Sequence, residues 1–179
     1  VSATGTLTLT GPTGGATLTE FQSVLRSVTY ENTSDNPDTT ARTITWVVND
    51  GTEPSADATS TINITAANDA PTVTAGGTLN YTENQVATAI DPTVTVDDLD
   101  GDDIVSATVT ISGSFAEDVL AFEAGATGIT GAYVSATGTL TLTGPTGGAT
   151  LTEFQSVLRS VTYENTSDNP DTTARTITW

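Results

Sequence analysis

Apolar and polar residues alternate along much of this chain with a period of two, the spacing that turns one face of a strand inward and the other to water. Leu7 and Leu9 alternate with Thr6, Thr8 and Thr10; Ile44, Trp46 and Val48 with Thr43, Thr45 and Val47; Ile62 and Ile64 with Thr61, Asn63 and Thr65. The pattern resumes at Val73 and at Leu79 with Tyr81, read as one strand over 71–81, at Val94 with Val96, read as a strand over about 86–96, and through Val105, Ala107, Val109 and Ile111. One stretch departs from it. Phe21, Val24, Leu25 and Val28 fall at i, i+3, i+4 and i+7, and Thr19-Glu20-Phe21-Gln22 beside them fits the S/T-x-x-E/Q capping box. This predicts a helix of about two turns whose apolar stripe caps an open end or edge of the sheets. The same helix is expected again at Thr152, Phe154, Val157, Leu158 and Val161. Gly11 to Gly15 reads as a turn, without the Lys of a phosphate loop.

That recurrence is part of a larger one. Val1–Trp46 returns without a change as Val134–Trp179, an offset of 134 − 1 = 133 residues. A period of that length is a domain rather than a solenoid turn. Between the copies, Asn68-Asp69-Ala70-Pro71 stops the strand pattern, which places a linker at about residues 66–71. Residues 1–67 then read as the C-terminal part of one repeat, and 68–179 as the next repeat lacking its last strand. The sequence of that strand is found only at about residues 57–66, where it runs straight into the following domain. An edge left bare in this way is expected to invite strand exchange with another copy. The chain as a whole reads as a segment of a longer array.

Composition sharpens the fold class and removes several kinds of chemistry. Thr, a β-branched residue suited to half-wet strands, occurs 41 times, while hydrophobic residues make up 36% against a usual share of about 45–50%. A thin all-β structure follows. Cys, His and Met are absent, and so is Lys, which excludes a disulfide framework, a Cys/His zinc site and a Ser-His-Asp triad. With 22 Asp+Glu and a net charge of −18, no nucleic-acid partner is expected. The only cations are Arg26, Arg42, Arg159 and Arg175, expected to pair with nearby carboxylates or to cover apolar surface. No apolar run reaches the ~18 residues of a membrane span, so no membrane insertion is expected, and no signal segment opens the chain at Val1. Trp46 and its copy Trp179 are in phase with their strands and are expected in the core. N-x-[ST] triplets begin at Asn32, Asn63, Asn80 and Asn165, as arises readily in a Thr-rich chain.

The densest chemistry lies in Asp97-Asp98-Leu99-Asp100-Gly101-Asp102-Asp103, five carboxylates in seven residues. Like charges this close are unfavourable unless solvent or a hard cation separates them, and Ca²⁺ takes six to eight oxygen ligands of this kind. Gly101 permits the turn that lets the carboxylates converge. The loop is not an EF-hand, since its Gly falls one place early and Ala107 stands where the closing Glu would be. Nor does it predict a glycosidase, which needs carboxyls of opposed pKa across a pocket, so no enzyme activity is expected.

Together these residues carry a resemblance. Asn68-Asp69-Ala70-Pro71 at a domain junction, Glu83-Asn84, Asp98-Leu99-Asp100-Gly101-Asp102, and Val48-Asn49-Asp50-Gly51 before a last strand resemble the cadherin-like, calcium-binding tandem repeats of large bacterial surface adhesins of the RTX type. The resemblance implies tandem Greek-key, Ig-like β-sandwiches, here with one short inserted helix per repeat, and Ca²⁺ at the junctions. It places Asn68, Asp69, Asp98, Asp100 and Asp102 at the junction present, with Asp97 and Asp103 beside them. Asn49 and Asp50 would serve the corresponding end of their own domain, and Glu83 the opposite end. Because the preceding counterpart of Glu83 and the following counterpart of Asp50 are not in the chain, the site is expected to be short of ligands. The implied function is a calcium-stiffened extender of a secreted or cell-surface adhesin, extracellular, acting in adhesion or biofilm, with neighbouring repeats as partners. The alternative is a carbohydrate- or protein-binding module that recognises polysaccharide or a protein through a sandwich face.

Overall fold

The computed structural model of the chain describes residues 5–113 and 115–179. Packing divides the chain into two compact units, Val1–Ser34 and Asp35–Trp179.

Among the described residues of the first unit the one regular element is helix α1 (Leu18–Arg26). Its capping box is Thr17…Glu20, two residues ahead of the expected Thr19…Gln22. The Thr17 hydroxyl accepts the Glu20 N–H at 3.3 Å, and the Glu20 carboxylate accepts the Thr17 N–H at 2.9 Å. Two T-x-x-[EQ] boxes overlap here, and the earlier one places a negative charge in the first turn, where the helix dipole favours it. The Thr17 hydroxyl, donating to Glu20 Oε2 at 2.7 Å, and then the Thr17 N–H hold the Glu20 carboxyl below its ordinary range. Nothing on α1 is buried; Leu18 is 90% exposed. The strand expected at Leu7 and Leu9 does not form, and Leu7 lies largely in solvent. A strand needs a partner for its backbone groups, and this unit supplies none among the described residues.

The second unit is built from antiparallel strands and one helix. It begins with a hairpin, β1 (Arg42–Trp46) and β2 (Ala58–Ile62), in register from Arg42↔Ile62 to Trp46↔Ala58. There follow β3 (Thr72–Thr74), β4 (Thr88–Ala89), β5 (Thr95–Asp97), β6 (Ser106–Ser112), β7 (Asp118–Ala121), β8 (Thr130–Val134), β9 (Thr139–Thr143), helix α2 (Leu151–Arg159), β10 (Thr162–Asn165) and β11 (Thr176–Thr178). Beyond the hairpin, β3 pairs with β5, β4-β10-β7 form a second sheet, and β11-β6-β9-β8 a third. The chain is thus strand-dominated with two short helices, in several small antiparallel sheets.

Val109 and Ile111 of β6, Leu140 and Leu142 of β9, Leu120 of β7, and Val94 form the core with Phe154, Val157 and Leu158 of α2. Each such side chain contributes roughly 1.5–3 kcal/mol on burial. The helix lies against β5, where the Val96 N–H donates to Gln155 Oε1 at 3.3 Å and Arg159 Nε donates to the Val94 carbonyl at 2.7 Å. Of the two roles expected for the arginines, carboxylate pairing or coverage of apolar surface, the first is not seen for Arg159 among the described residues, where its guanidinium bonds a carbonyl. As in α1, the capping box starts two residues before the expected Thr152, at Thr150…Glu153.

The single strand expected at about 86–96 is split. Asp91-Pro92 interrupts it, and the two pieces join different sheets, β4 with β10 and β5 with β3. Asp91 is 2% exposed and fully bonded: it accepts the Thr93 hydroxyl and N–H on Oδ1, and the N–H groups of Gly76 and Gly77 on Oδ2 at 2.9 and 2.8 Å. Those donors, the Thr93 hydroxyl first, hold its carboxyl far below the usual range. Residues 75–79, expected as part of a strand through Leu79 and Tyr81, run outside the regular strands, tied to the fold by this carboxylate.

The repeated segment shows what local sequence does and does not decide. Both copies of LTEFQSVLR are helices with the same cap, yet Phe154, Val157 and Leu158 are buried and their first-copy counterparts are not. Residues 139–143 pair with β8 and β6, while residues 6–10, identical to them, form no strand. Arg175 meets the buried Asp118, whereas Arg42 meets Asp38 at 3.6 Å at the surface.

Candidate metal centre

The Asp-rich loop is fixed at both ends. Before it, β5 ends at Asp97 in register with Thr72 of β3; after it, Ile104 and Ala149 exchange two backbone bonds of 2.8 and 2.9 Å. Between these anchors the chain must reverse, and Gly101 does so with φ +74°, a left-handed conformation that glycine adopts without strain. The Gly101 N–H donates to the Asp98 carbonyl at 3.1 Å. The Asp98 carboxylate then organises the loop, its Oδ1 accepting the N–H groups of Asp100 at 3.0 Å and Asp102 at 3.3 Å.

The result brings Asp98, Asp100 and Asp102 together, with one oxygen from each lying within 4.8 Å of the others. Asp98 is 8% exposed, Asp100 half-buried and Asp102 exposed. Like charges at such separations repel by roughly 1 kcal/mol per pair even at the dielectric constant of water. The oxygen that each contributes is a hard donor of the kind a divalent cation takes, so the group could hold a metal ion. The group is accessible from the Asp102 side.

Linker residues reach this loop through their backbone. The Asp69 N–H donates to Asp100 Oδ2 at 2.5 Å, and the Asn68 amide donates to the Asp69 carbonyl at 2.8 Å. The Asp69 carboxylate is not one of the three that converge. An unforeseen participant is Asn36, whose amide donates to the Asp100 carbonyl. It sits in a polar stretch with no motif, so sequence carries no signal for it.

The remaining candidates lie outside the converging group. Asp97 Oδ1 accepts the Asp98 N–H at 3.1 Å. The Cβ of Asp103 lies against Gly148, where an added methyl would approach it to 2.9 Å. Glu83 and Asn84, the latter at φ 61°, form a turn, and Glu83 lines an open groove. Asn49 Oδ1 accepts the Gly51 N–H, and Asp50 Oδ1 accepts those of Glu53 and Thr52, which hold the Asp50 carboxyl below its ordinary range.

Sequence reasoning missed the most deeply buried ionic group. Asp118, fully enclosed, accepts Arg175 Nε at 3.0 Å, the Tyr163 hydroxyl at 2.6 Å, the Asn165 amide at 2.8 Å and the Phe115 N–H at 2.8 Å. Burial alone would raise its carboxyl pKa, but these donors outweigh burial and hold it down, while burial and the same carboxylate push Tyr163 up to about 12. Its side-chain partners come from β10 and the approach to β11, forty-five or more residues away, so no local spacing announces it. Of the Asn165 triplet, Asn165 itself is buried and its amide is bonded in this network, which closes it to glycosylation. Every bonding position of Asp118 is occupied, and its role is to lock the sheets together.

No protein family, curated protein or solved structure matches this chain.

Proposed function

We propose that this chain is a calcium-stiffened extender segment of a secreted or cell-surface adhesin, built from tandem Greek-key sandwiches of 133 residues and working by reach and stiffness rather than by catalysis. The observation that carries this reading is the convergence of the Asp98, Asp100 and Asp102 carboxylates in a loop to which the Asp69 backbone is bonded. A cation held by these oxygens would tie residues 68–71 to the strands that support the loop. Metal binding there would also offset part of the −18 charge, lowering the self-repulsion of an acidic chain. Repetition without a change over 46 residues supports a spacer, since a selective recognition site is seldom needed in identical adjacent copies.

The test is calorimetric titration of the chain with calcium chloride, beside a variant carrying D98N, D100N and D102N. Saturable binding by the parent chain and none by the variant is the expected result. Equal heats from both would remove the loop from the proposal. A chain of two whole repeats is expected to bind more tightly than this one, because it supplies the counterparts of Glu83 and Asp50. Small-angle scattering with calcium and then with chelator checks the stiffening, as a more extended, less variable particle in calcium.

A further inference from the structure

Strand β8 closes the four-stranded sheet on the side away from β11. Its inner edge pairs with β9 from Thr130↔Thr143 to Val134↔Thr139, and no described strand pairs with its outer edge. Thr130, Gly131, Ala132 and Val134 are exposed, while Tyr133 is half-buried, its hydroxyl donating to the Asp118 carbonyl at 2.9 Å. A free edge presents a row of backbone donors and acceptors that accepts another strand unless something blunts it. Other edges of this molecule are blunted. β4 is two residues long, β5 ends on Asp97, and β7 starts at Asp118 with Glu117 and Glu123 on its flanks. β8 carries neither a charge nor a Pro along its five residues.

The surroundings of the strand are as neutral as the strand itself. Residues 124–152 are the longest stretch of the chain without Asp, Glu, Lys or Arg, although 22 carboxylates are distributed over the rest. On the side of the sheet turned away from the core, Ala132 and Val134 of β8 stand opposite Thr141 and Thr139 of β9, and these opposite Thr108 and Thr110 of β6. The sheet is therefore uncharged from the β8 edge inward. On a molecule of net charge −18, this is a place where two copies can meet without setting carboxylate against carboxylate.

We propose that the outer edge of β8 pairs with the same edge of a second copy of this chain, antiparallel and about a two-fold axis. The period of two restricts the register. Thr130, Ala132 and Val134 share one face, and a slip of one residue would set them against the opposite face of the partner. Of the registers that keep the faces matched, the one centred on Ala132 engages all five residues: Thr130↔Val134, Gly131↔Tyr133 and Ala132↔Ala132. No two bulky side chains stand opposite one another in it, and the small Ala132 lies on the axis. Two four-stranded sheets become one of eight, uncharged across the junction. Pairing the edge with itself satisfies both edges at once, so assembly stops at two chains. The contact is short, about 17 Å of strand from each copy, which makes a weak dimer that forms as concentration rises.

Sedimentation equilibrium tests the pairing, in chelator to keep the result independent of the metal site, and in about 0.15 M sodium chloride, where charges more than about 8 Å apart are screened. The parent mass is expected to rise with concentration from 18.2 kDa towards two chains. A132E sets two carboxylates opposite one another on the axis and should hold the mass at one chain, whereas T146E, the same charge in a turn of the same neutral stretch, should behave as the parent. Ala132 and Thr146 are both exposed, so neither change touches the core, and circular dichroism checks that each variant folds. Single cysteines then read the register, since the chain has none of its own. Residues directly opposite have Cβ atoms about 4.5–5.5 Å apart, so A132C should join two chains on oxidation. T130C lies about 13 Å along the strands from its own copy and should cross-link at least severalfold less. A mass of one chain at every concentration, equal masses for A132E and T146E, or equal cross-linking of A132C and T130C overturns the proposal.

Discussion

At the scale of single residues, the buried carboxylates of Asp91 and Asp118 explain how a chain with so few cations holds its strands in place. Asp91 takes its bonds from backbone N–H groups and Thr93, while Asp118 takes Arg175 and two side chains of β10. Gly77 approaches Asp91 so closely that a Cβ there would lie 2.8 Å from its Cγ. G77A is therefore expected to destabilise the fold by about 1–3 kcal/mol, read as a lower urea midpoint. D91N places an amide hydrogen-bond donor against backbone donors and should cost about 2 kcal/mol at neutral pH. The sign of the pH effect follows from the shift: native Asp91 titrates below the unfolded value of about 3.9, so its contribution is complete above that value and fades as pH falls towards the native pKa. The gap in urea midpoint between parent and D91N should accordingly narrow between pH 7 and pH 3. A gap that stayed constant would mean that the charge of Asp91 contributes nothing.

At the scale of elements, the repeat is an internal control, because one nonapeptide occupies two environments. The cap of each helix is a local matter and forms in both. Packing is not local. Phe154 is 0% exposed, and F154A should cost about 3–5 kcal/mol, whereas F21A, the same change in the same sequence, should stay within about 0.5 kcal/mol. Denaturation of the two variants side by side checks this, and equal losses would show that α1 acquires a packed face in solution. The contrast also explains what was legible in the sequence. Alternation found the segments of β1, β6 and β9 because their inward residues carry the pattern themselves, and that of β2 only in part, since β2 ends at Ile62 and Ile64 lies beyond it. It misplaced a strand at Thr6–Thr10, where the residues are right but the partner is lacking, and it read 86–96 as continuous because nothing in the alternation says that Asp91 turns inward. β7 and β8 gave little signal, with one fully buried apolar residue, Leu120, between them. In the acidic loop the three converging aspartates were legible because Gly101 and the spacing act within a few residues. The contact from Asn36, sixty-four residues away, was not.

At the scale of the whole molecule, 22 carboxylates against four guanidinium groups make cation binding a question of stability as well as architecture. Any cation screens this charge, and at about 0.1 M salt the screening length is already near 10 Å, so sodium should raise the melting temperature of the parent chain and of the D98N/D100N/D102N variant alike. A site made by three converging carboxylates adds a term that screening cannot. Ligand bound to the folded state alone stabilises by about 2.7 kcal/mol at a hundred times its dissociation constant, which for a domain of this size corresponds to roughly 5–10 °C. Calcium, compared at equal ionic strength with sodium, is thus expected to raise the melting temperature of the parent by that increment, and chelator to reverse it. The variant starts from a different baseline, since removing three like charges relieves repulsion, so the increment on adding calcium is the quantity to compare. Differential scanning calorimetry provides it. An increment of equal size in both proteins would assign the effect to the diffuse acidic surface, and the loop around Gly101 would then be an ordinary solvated turn.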